Sequence, residues 1–274
     1  MRGFYIYCIT SEDGPKKFSG LHGIDNKSGV FTLAYKDLGA IVSMINLSDF
    51  GGNELKKKLD DPKCKWVKRT VLNHQKVINK VMKGRAVIPM RFGIVYKKKG
   101  QIEEVLEKNY RKFKNILGSL VDKKEWGVKI FCDQGRLASK IQAKDGSIKK
   151  LRKQLGTGPE GKKFFLQKKL DAITESRMEE EMNKYSQIFL KRLSKDSDKY
   201  ILNDTSSKEL TGRNEEMIIN VAYLVADKNL VKFEKNLDEL REKYLGDRFL
   251  LELSGPWPPY NFVNLDYDRP KQIN

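Results

Sequence analysis

The sequence is poor in the residues of metal and thiol chemistry, with three cysteines and two histidines in 274 residues. Cys8, Cys64 and Cys132 lie far apart and none stands in a C-x-x-C spacing, so neither a zinc knuckle nor a disulfide framework is indicated. His22 and His74 read as ordinary polar histidines, and the cysteines as small buried thiols. No metal and no cofactor are expected. No apolar run approaches the roughly 18 residues of a membrane helix, and no membrane partner is expected. The opening MRGFYIYCIT alternates like a strand and lacks a small-residue cleavage site, so it is not read as a signal peptide. A cytoplasmic location is the expectation.

Acidic residues are the scarcer sign of charge. Fifty-four Lys and Arg against 36 Asp and Glu leave +18, a surplus that favours acidic partners without naming one. Hydrophobic content of 39% with 10% aromatics is enough for a real core and argues against disorder throughout.

Periodicity then orders the chain. Residues 3–10 read as a central strand covered on both sides, with Phe4, Ile6 and Cys8 opposed to Tyr5, Tyr7 and Ile9. Runs at 30–35 and 40–45 predict an antiparallel hairpin. Trp66, Val67, Thr70, Val71, His74, Val77, Ile78 and Val81 recur at helical spacing, predicting a helix that ends near Gly84. Pro89 splits two short β runs and suits a sheet edge or a bulge, not a central ladder position. Residues 101–120 predict one helix, and 125–133 a strand. The charged stretch that follows is broken by glycines up to Gly161, then persistently helical over 162–193, an arm that reaches about residue 195. A weak strand at 200–205, a strand at 216–225, a helix at 227–244 and a last strand at 249–253 complete the order. The fold class is α+β with two domains. Residues 1–122 form an N-terminal α+β domain with a mixed or antiparallel sheet. Residues 123–274 form a modified ferredoxin-like domain with the helical arm and a C-terminal Pro/aromatic clasp.

No motif carries catalysis. GTGPEGKK (residues 156–163) has the Gly-to-Gly gap of a phosphate loop, but Lys163 stands where a hydroxyl must ligate magnesium, and no buried strand precedes it. The carboxylate pairs, such as Asp60-Asp61 and Glu215-Glu216, sit among polar neighbours rather than in the apolar pocket a general acid needs. The chain is therefore not read as an enzyme. The alternative function is a basic nucleic-acid-binding protein with a ferredoxin-like sheet. RFGIVY (residues 91–96) begins like an RNA-binding strand motif but lacks its remaining alternation, and the lysines spread along the chain rather than forming one stripe. Nucleic acid is not the favoured partner.

Four stretches, VIPMRFGIVY (87–96), EWGVKIFCD (125–133), NVAYLV (220–225) and SGPWPPYNFV (254–263), stand in one order. Together with the N-terminal strand and LGAIVSMI (38–45), the chain resembles the gas vesicle protein F and L family over about residues 3–265. GPEGKKFFLQKKL (158–170) matches a further family motif in part, with Lys163 or Phe164 where a small residue is usual. The resemblance implies a two-domain α+β protein that is a minor structural and assembly component of gas vesicles, the gas-filled buoyancy organelles. It implies binding to the major shell protein and to other accessory vesicle proteins, a location in the cytoplasm and the gas vesicle, and no catalysis, metal or nucleotide. The matched positions are candidates for structural or partner-contact roles: Pro89, Arg91, Phe92, Gly93, Trp126, Gly127, Phe165, Tyr223, Gly255, Pro256, Trp257, Pro258, Pro259 and Tyr260.

Two of these stretches invite a sharper reading. Ser254-Gly255 is expected to end the last strand. Pro256, Pro258 and Pro259 then fix φ as the chain leaves the sheet, and Trp257, Tyr260 and Phe262 cover the sheet end or a domain junction. On the arm, Phe165, Leu170, Tyr185 and Phe189 form an apolar stripe bordered by charge. It either meets a partner or packs on its own domain, and the second is favoured.

Overall fold

The computed structural model describes residues 1–11, 17–50, 52–245 and 248–264. The chain divides into two compact units, one of Met1–Glu125 with the segment from Pro256, the other of Trp126–Gly255. The chain first passes between the units at Glu125 and Trp126, where the sequence reading divides it at 122/123. The C-terminal corner, expected in the second domain, belongs with the first unit.

In the first unit, β1 (Arg2–Ser11) is central because its middle, Phe4 to Ile9, is apolar or aromatic throughout. It pairs antiparallel with β4 (Leu38–Asn46) on one side and with the short β5 (Val87–Pro89) and β6 (Val95–Tyr96) on the other. The hairpin of β3 (Gly29–Tyr35) and β4 extends the sheet to β2 (Lys17–His22), giving the order β2-β3-β4-β1-β5. Pro89 sits on the last strand of this path, where its missing N–H interrupts no interior ladder.

Both faces of β1 are covered, as expected, but not by the expected residues. The register slips between Ile6 and Cys8. This bulge puts Tyr5, Tyr7 and Cys8 into one core and Ile6 and Ile9 into the other, so strict alternation fails after Tyr7. Helix α2 (Lys65–Met82), preceded by α1 (Gly52–Asp60), brings Val77, Ile78 and Val81 onto the first face. The second face is covered by α3 (Lys99–Lys108) and α4 (Tyr110–Leu120) through Ile102, Leu106, Phe113 and Leu117. The single helix predicted for 101–120 is thus two. Asn109 leaves the helical region at φ −107°, ψ 13°, and its side-chain amide donates to the Val105 carbonyl at 2.9 Å, competing with the helical ladder.

The second unit runs β7 (Lys123–Cys132, entering from the first unit), α5 (Gln134–Lys144), α6 (Gly146–Thr157), α7 (Glu160–Leu193), β8 (Lys199–Leu202), α8 (Lys208–Thr211), β9 (Glu216–Ala226), α9 (Leu230–Leu240) and β10 (Phe249–Trp257). Its sheet has the order β10-β7-β9-β8. The last strand does not stop at Leu253. It continues to Trp257 through Gly255, whose φ of +132° a glycine adopts without a Cβ penalty.

Asp133 caps α5 by accepting the Arg136 N–H at 3.0 Å, and Asp145 caps α6 through the N–H groups of Ser147 and Ile148. The glycine-marked stretch is therefore two capped helices and a turn. GTGPEGKK joins helix to helix, not strand to helix, which is not the setting of a phosphate loop.

Helix α7 uses most of its apolar stripe internally. Leu166, Leu170 and Ile173 pack with Ile148 and Leu151 of α6. Further along, Met178, Met182, Tyr185, Phe189 and Leu193 join the sheet core with Phe233 and Leu237 of α9. Fully burying a side chain such as Phe189 contributes on the order of 1.5–3 kcal/mol, so this end of the arm is a structural element of its unit.

Candidate functional site

The first and last of the four motifs meet in the first unit, around a residue read as unremarkable. His74 of α2 is 3% exposed. Its Nδ1 lies 2.9 Å from the Tyr5 hydroxyl, and its Nε2 lies 3.2 Å from both the Met90 carbonyl and the Tyr260 hydroxyl. One protonation state satisfies this set. Neutral His74 carries its proton on Nε2, donating towards Met90, and Nδ1 accepts from Tyr5. The Tyr5 oxygen in turn accepts the Gly93 N–H at 3.1 Å, which Gly93 presents from φ +90°. Burial pushes the His74 imidazole down to about 4, against the Met90 carbonyl, which pulls the other way. Phe92 packs edge-on against Tyr5 and His74, with ring centroids 6.3 and 5.9 Å away. Tyr7 completes the cluster, bonding Ser43 Oγ at 2.7 Å and accepting the Ile24 N–H at 2.6 Å.

The corner that supplies Tyr260 is itself a tight turn. Tyr260 N–H donates to the Pro258 carbonyl at 2.7 Å, and Phe262 N–H to Pro259 at 3.1 Å. Pro258 and Pro259 are buried, whereas Trp257 and Tyr260 are 43% and 37% exposed. Next to it, the buried Glu125 carboxylate accepts both the Asn261 N–H at 3.0 Å and the Asn261 amide Nδ2 at 2.7 Å. Burial raises the Glu125 pKa, and the two Asn261 bonds oppose that rise. Tyr260 and Asn261 are thus anchored on partners 186 and 136 residues earlier. In this cluster Pro89 is buried on β5 and Arg91 is exposed.

The remaining predicted positions lie in the second unit and do not converge. Trp126 packs against the sheet core, and the Gly127 carbonyl accepts Ser254 Oγ at 3.4 Å. Tyr223 is buried between Tyr200 and Phe233, 6.2 and 5.3 Å away by ring centroid. Phe165 is 72% exposed, not packed inward as the stripe reading had it. It forms an edge-to-face pair with Phe164 (61% exposed) at 5.8 Å, and Lys168 Nζ lies 5.0 Å from the Phe164 ring centroid.

The charge around this pair is not evenly spread. Residues 134–170 carry eleven Lys and Arg against two Asp and Glu, a net +9 that is half the chain's surplus. Helices α5, α6 and the start of α7 pack on one another through Ile141, Ile148, Leu151 and Leu170, so these charges share one helical cluster. A charge count in a sliding window would have found it. Residues 171–181 of α7 then reverse the sign, with five acidic residues against Arg177.

A model of the family described as Gas vesicle synthesis protein GvpL/GvpF matches residues 3–264, and the chain belongs to that family. It is 27% identical over 265 residues to gas vesicle protein F1 of Halobacterium salinarum, with 95% of this chain and 92% of that protein covered. With gas vesicle protein L of a Streptomyces species it shares 24% over 262 residues, again covering 95% and 92%. Among solved structures, the gas vesicle protein GvpF of Anabaena sp. PCC7120 superposes with a TM-score of 0.76 at 19% identity, covering 97% of this chain and all of that one. GvpF of Microcystis aeruginosa gives 0.67 at 21%, covering 96% and 99%. At these identities the structural likeness is one of fold.

Proposed function

We propose, from membership of the gas vesicle GvpL/GvpF family, that this chain is a minor structural and assembly protein of gas vesicles. In this reading it works in the cytoplasm and on the vesicle, binding the major shell protein and other accessory proteins as vesicles nucleate and form. Its second unit is then a ferredoxin-like domain, its strand–helix–strand–strand–helix–strand succession enlarged by the α5–α7 helices. The observation that carries the proposal is the match over residues 3–264, which takes in all four motifs and both units. The surface is compatible with it. Tyr200 and Leu202 on the sheet-edge strand β8 are 45% and 60% exposed, and Leu210 beyond it is 82% exposed, while a net charge of +18 favours solubility.

Deletion in the native host tests the reading by loss of buoyant vesicles. Vesicles that form normally without the chain, in a host holding no second family member, refute it. Co-purification with the shell protein separates the modes of binding. A complex that survives high salt rests on apolar contact, and one lost at moderate salt rests on the basic surface.

A further inference from the structure

The outward face of α7 has a pattern that its own unit does not use. Gly161, Phe165, Lys168, Ala172, Glu175 and Glu179 recur at alternating spacings of four and three, and all are exposed. The inward face, Leu166, Leu170, Ile173 and Thr174, is spent on α6 and the helix's own backbone. A sustained three-four stripe on a helix of 34 residues, about 50 Å long, is the geometry by which two helices pack along each other. Here the stripe is not uniformly apolar. It is aromatic and basic before Ala172 and acidic after it.

We infer that the occupant of this face is a second copy of the chain, with the two α7 helices antiparallel about a two-fold axis beside Ala172. Residues 162–170 of α7 carry a net +4 and residues 171–181 a net −4, and such a stretch is complementary to itself only when reversed. With the axis at Ala172, Lys168 of one copy faces Glu175 of the other, twice by symmetry. Phe165 faces the neighbourhood of Glu179, where its ring lies over the aliphatic part of the glutamate. Ala172 at the axis lets the backbones approach. Along the paired helices, residues 162–170 of each copy lie against the partner's 171–181 stretch, setting a net +4 against a net −4.

Two rival occupants fit less well. A polyanionic strand lying along the stripe meets the carboxylates of Glu175 and Glu179 after the first three turns. An anionic membrane would have to accept the same carboxylates on the face that docks. The whole-chain charge of +18 opposes self-association at long range, but a Debye length of about 8 Å at physiological ionic strength confines that repulsion and leaves the short contacts.

The test is a charge swap in the full chain, read by sedimentation equilibrium at about 0.15 M salt, where surface charges are partly screened. The wild type is expected to form a weak dimer. Lys168→Glu places like charges opposite Glu175 in both symmetric pairs, and Glu175→Lys does the same opposite Lys168. Each alone is expected to weaken the dimer about tenfold or more. Mixing the two variants restores opposite charges in both pairs and is expected to recover the dimer as a mixed species. Both residues are exposed, so circular dichroism of each variant is expected to match the wild type. As a second readout, Ala172→Cys is expected to give an oxidised, covalently linked dimer whose yield falls when Lys168→Glu is added.

A wild type that stays monomeric up to the concentrations that read a ~1 mM Kd overturns the proposal. So does a mixture of the two variants no more dimeric than either alone. A monomeric wild type whose sedimentation shifts only on adding single-stranded RNA also overturns it, in favour of nucleic acid. None of these outcomes bears on the vesicle-deletion result, so the two readings fail separately.

Discussion

Acidification should loosen the first unit through one side chain. His74 is neutral in the folded chain, its pKa lowered from 6.5 to about 4. A group whose folded pKa is depressed below its unfolded value has its full stabilising effect above the unfolded value. Here that effect is lost as the pH falls from 6.5 towards 4, because only the unfolded chain takes up the proton freely. The full shift of about 2.5 units corresponds to roughly 3 kcal/mol, of which about 2 kcal/mol is lost by pH 5. The leading cause is burial, which disfavours the charged imidazole. Protonated His74 must donate from Nδ1 to a Tyr5 oxygen that already accepts from Gly93, and the Tyr5 proton then loses its acceptor.

Glu125 acts with the opposite sign. Its folded pKa is raised, so protonation of the folded chain as the pH falls through that value favours folding. The His74 contribution is therefore read as a difference between two proteins. His74→Gln keeps a donor for the Met90 carbonyl, removes the titration, and leaves the Tyr5 hydroxyl without its acceptor. It is expected to cost about 1–3 kcal/mol at pH 7.5. Urea unfolding of both proteins at pH 7.5 and 5.0 is the assay. The gap between them should shrink by about 2 kcal/mol at pH 5. A gap that stays constant across this range refutes the neutral, buried His74 described above.

Three further outcomes follow from the packing. Tyr7→Phe removes the bonds to Ser43 and to the Ile24 N–H from a buried cluster, and should lower stability by about 1–3 kcal/mol in the same urea assay. Gly255→Ala forces a side chain onto φ +132° and should cost on the order of 1–3 kcal/mol, measured by thermal unfolding. Phe189→Ala empties a fully buried site where Phe189 and Tyr185 of α7 meet Tyr244 and Phe249, and should cost about 3–5 kcal/mol.

What the sequence made legible was regular repetition. The central β1, the β3–β4 hairpin, α2 and the long α7 all follow from runs whose period holds over many residues. What it concealed lies where one residue departs from its run. The bulge at Tyr7 sends Cys8 and Ile9 to the faces opposite those that alternation assigns, and no composition cue marks it. Asn109 divides a stripe that remains helical in spacing on both sides, so periodicity alone reads one helix. Gly255 looked like a terminator because glycine usually breaks a strand, but here it carries the strand onward.

The cluster around His74 was hidden for a different reason. Its members come from β1, α2, the loop after β5 and the C-terminal corner, and nothing local in the sequence couples residue 74 to residue 260. The resemblance marked the corner as important without saying what it touches. The contacts supply a physical reason why that corner is rigid. Prolines 258 and 259 are buried and pre-set the turn, so Tyr260 and Asn261 reach His74 and Glu125 with little backbone freedom left to lose. A flexible tail making the same two contacts would lose roughly 1–2 kcal/mol of backbone entropy for each residue it ordered, comparable to what each hydrogen bond returns. The prolines are thus what makes anchoring the end of the chain on a neutral histidine and a buried carboxylate favourable.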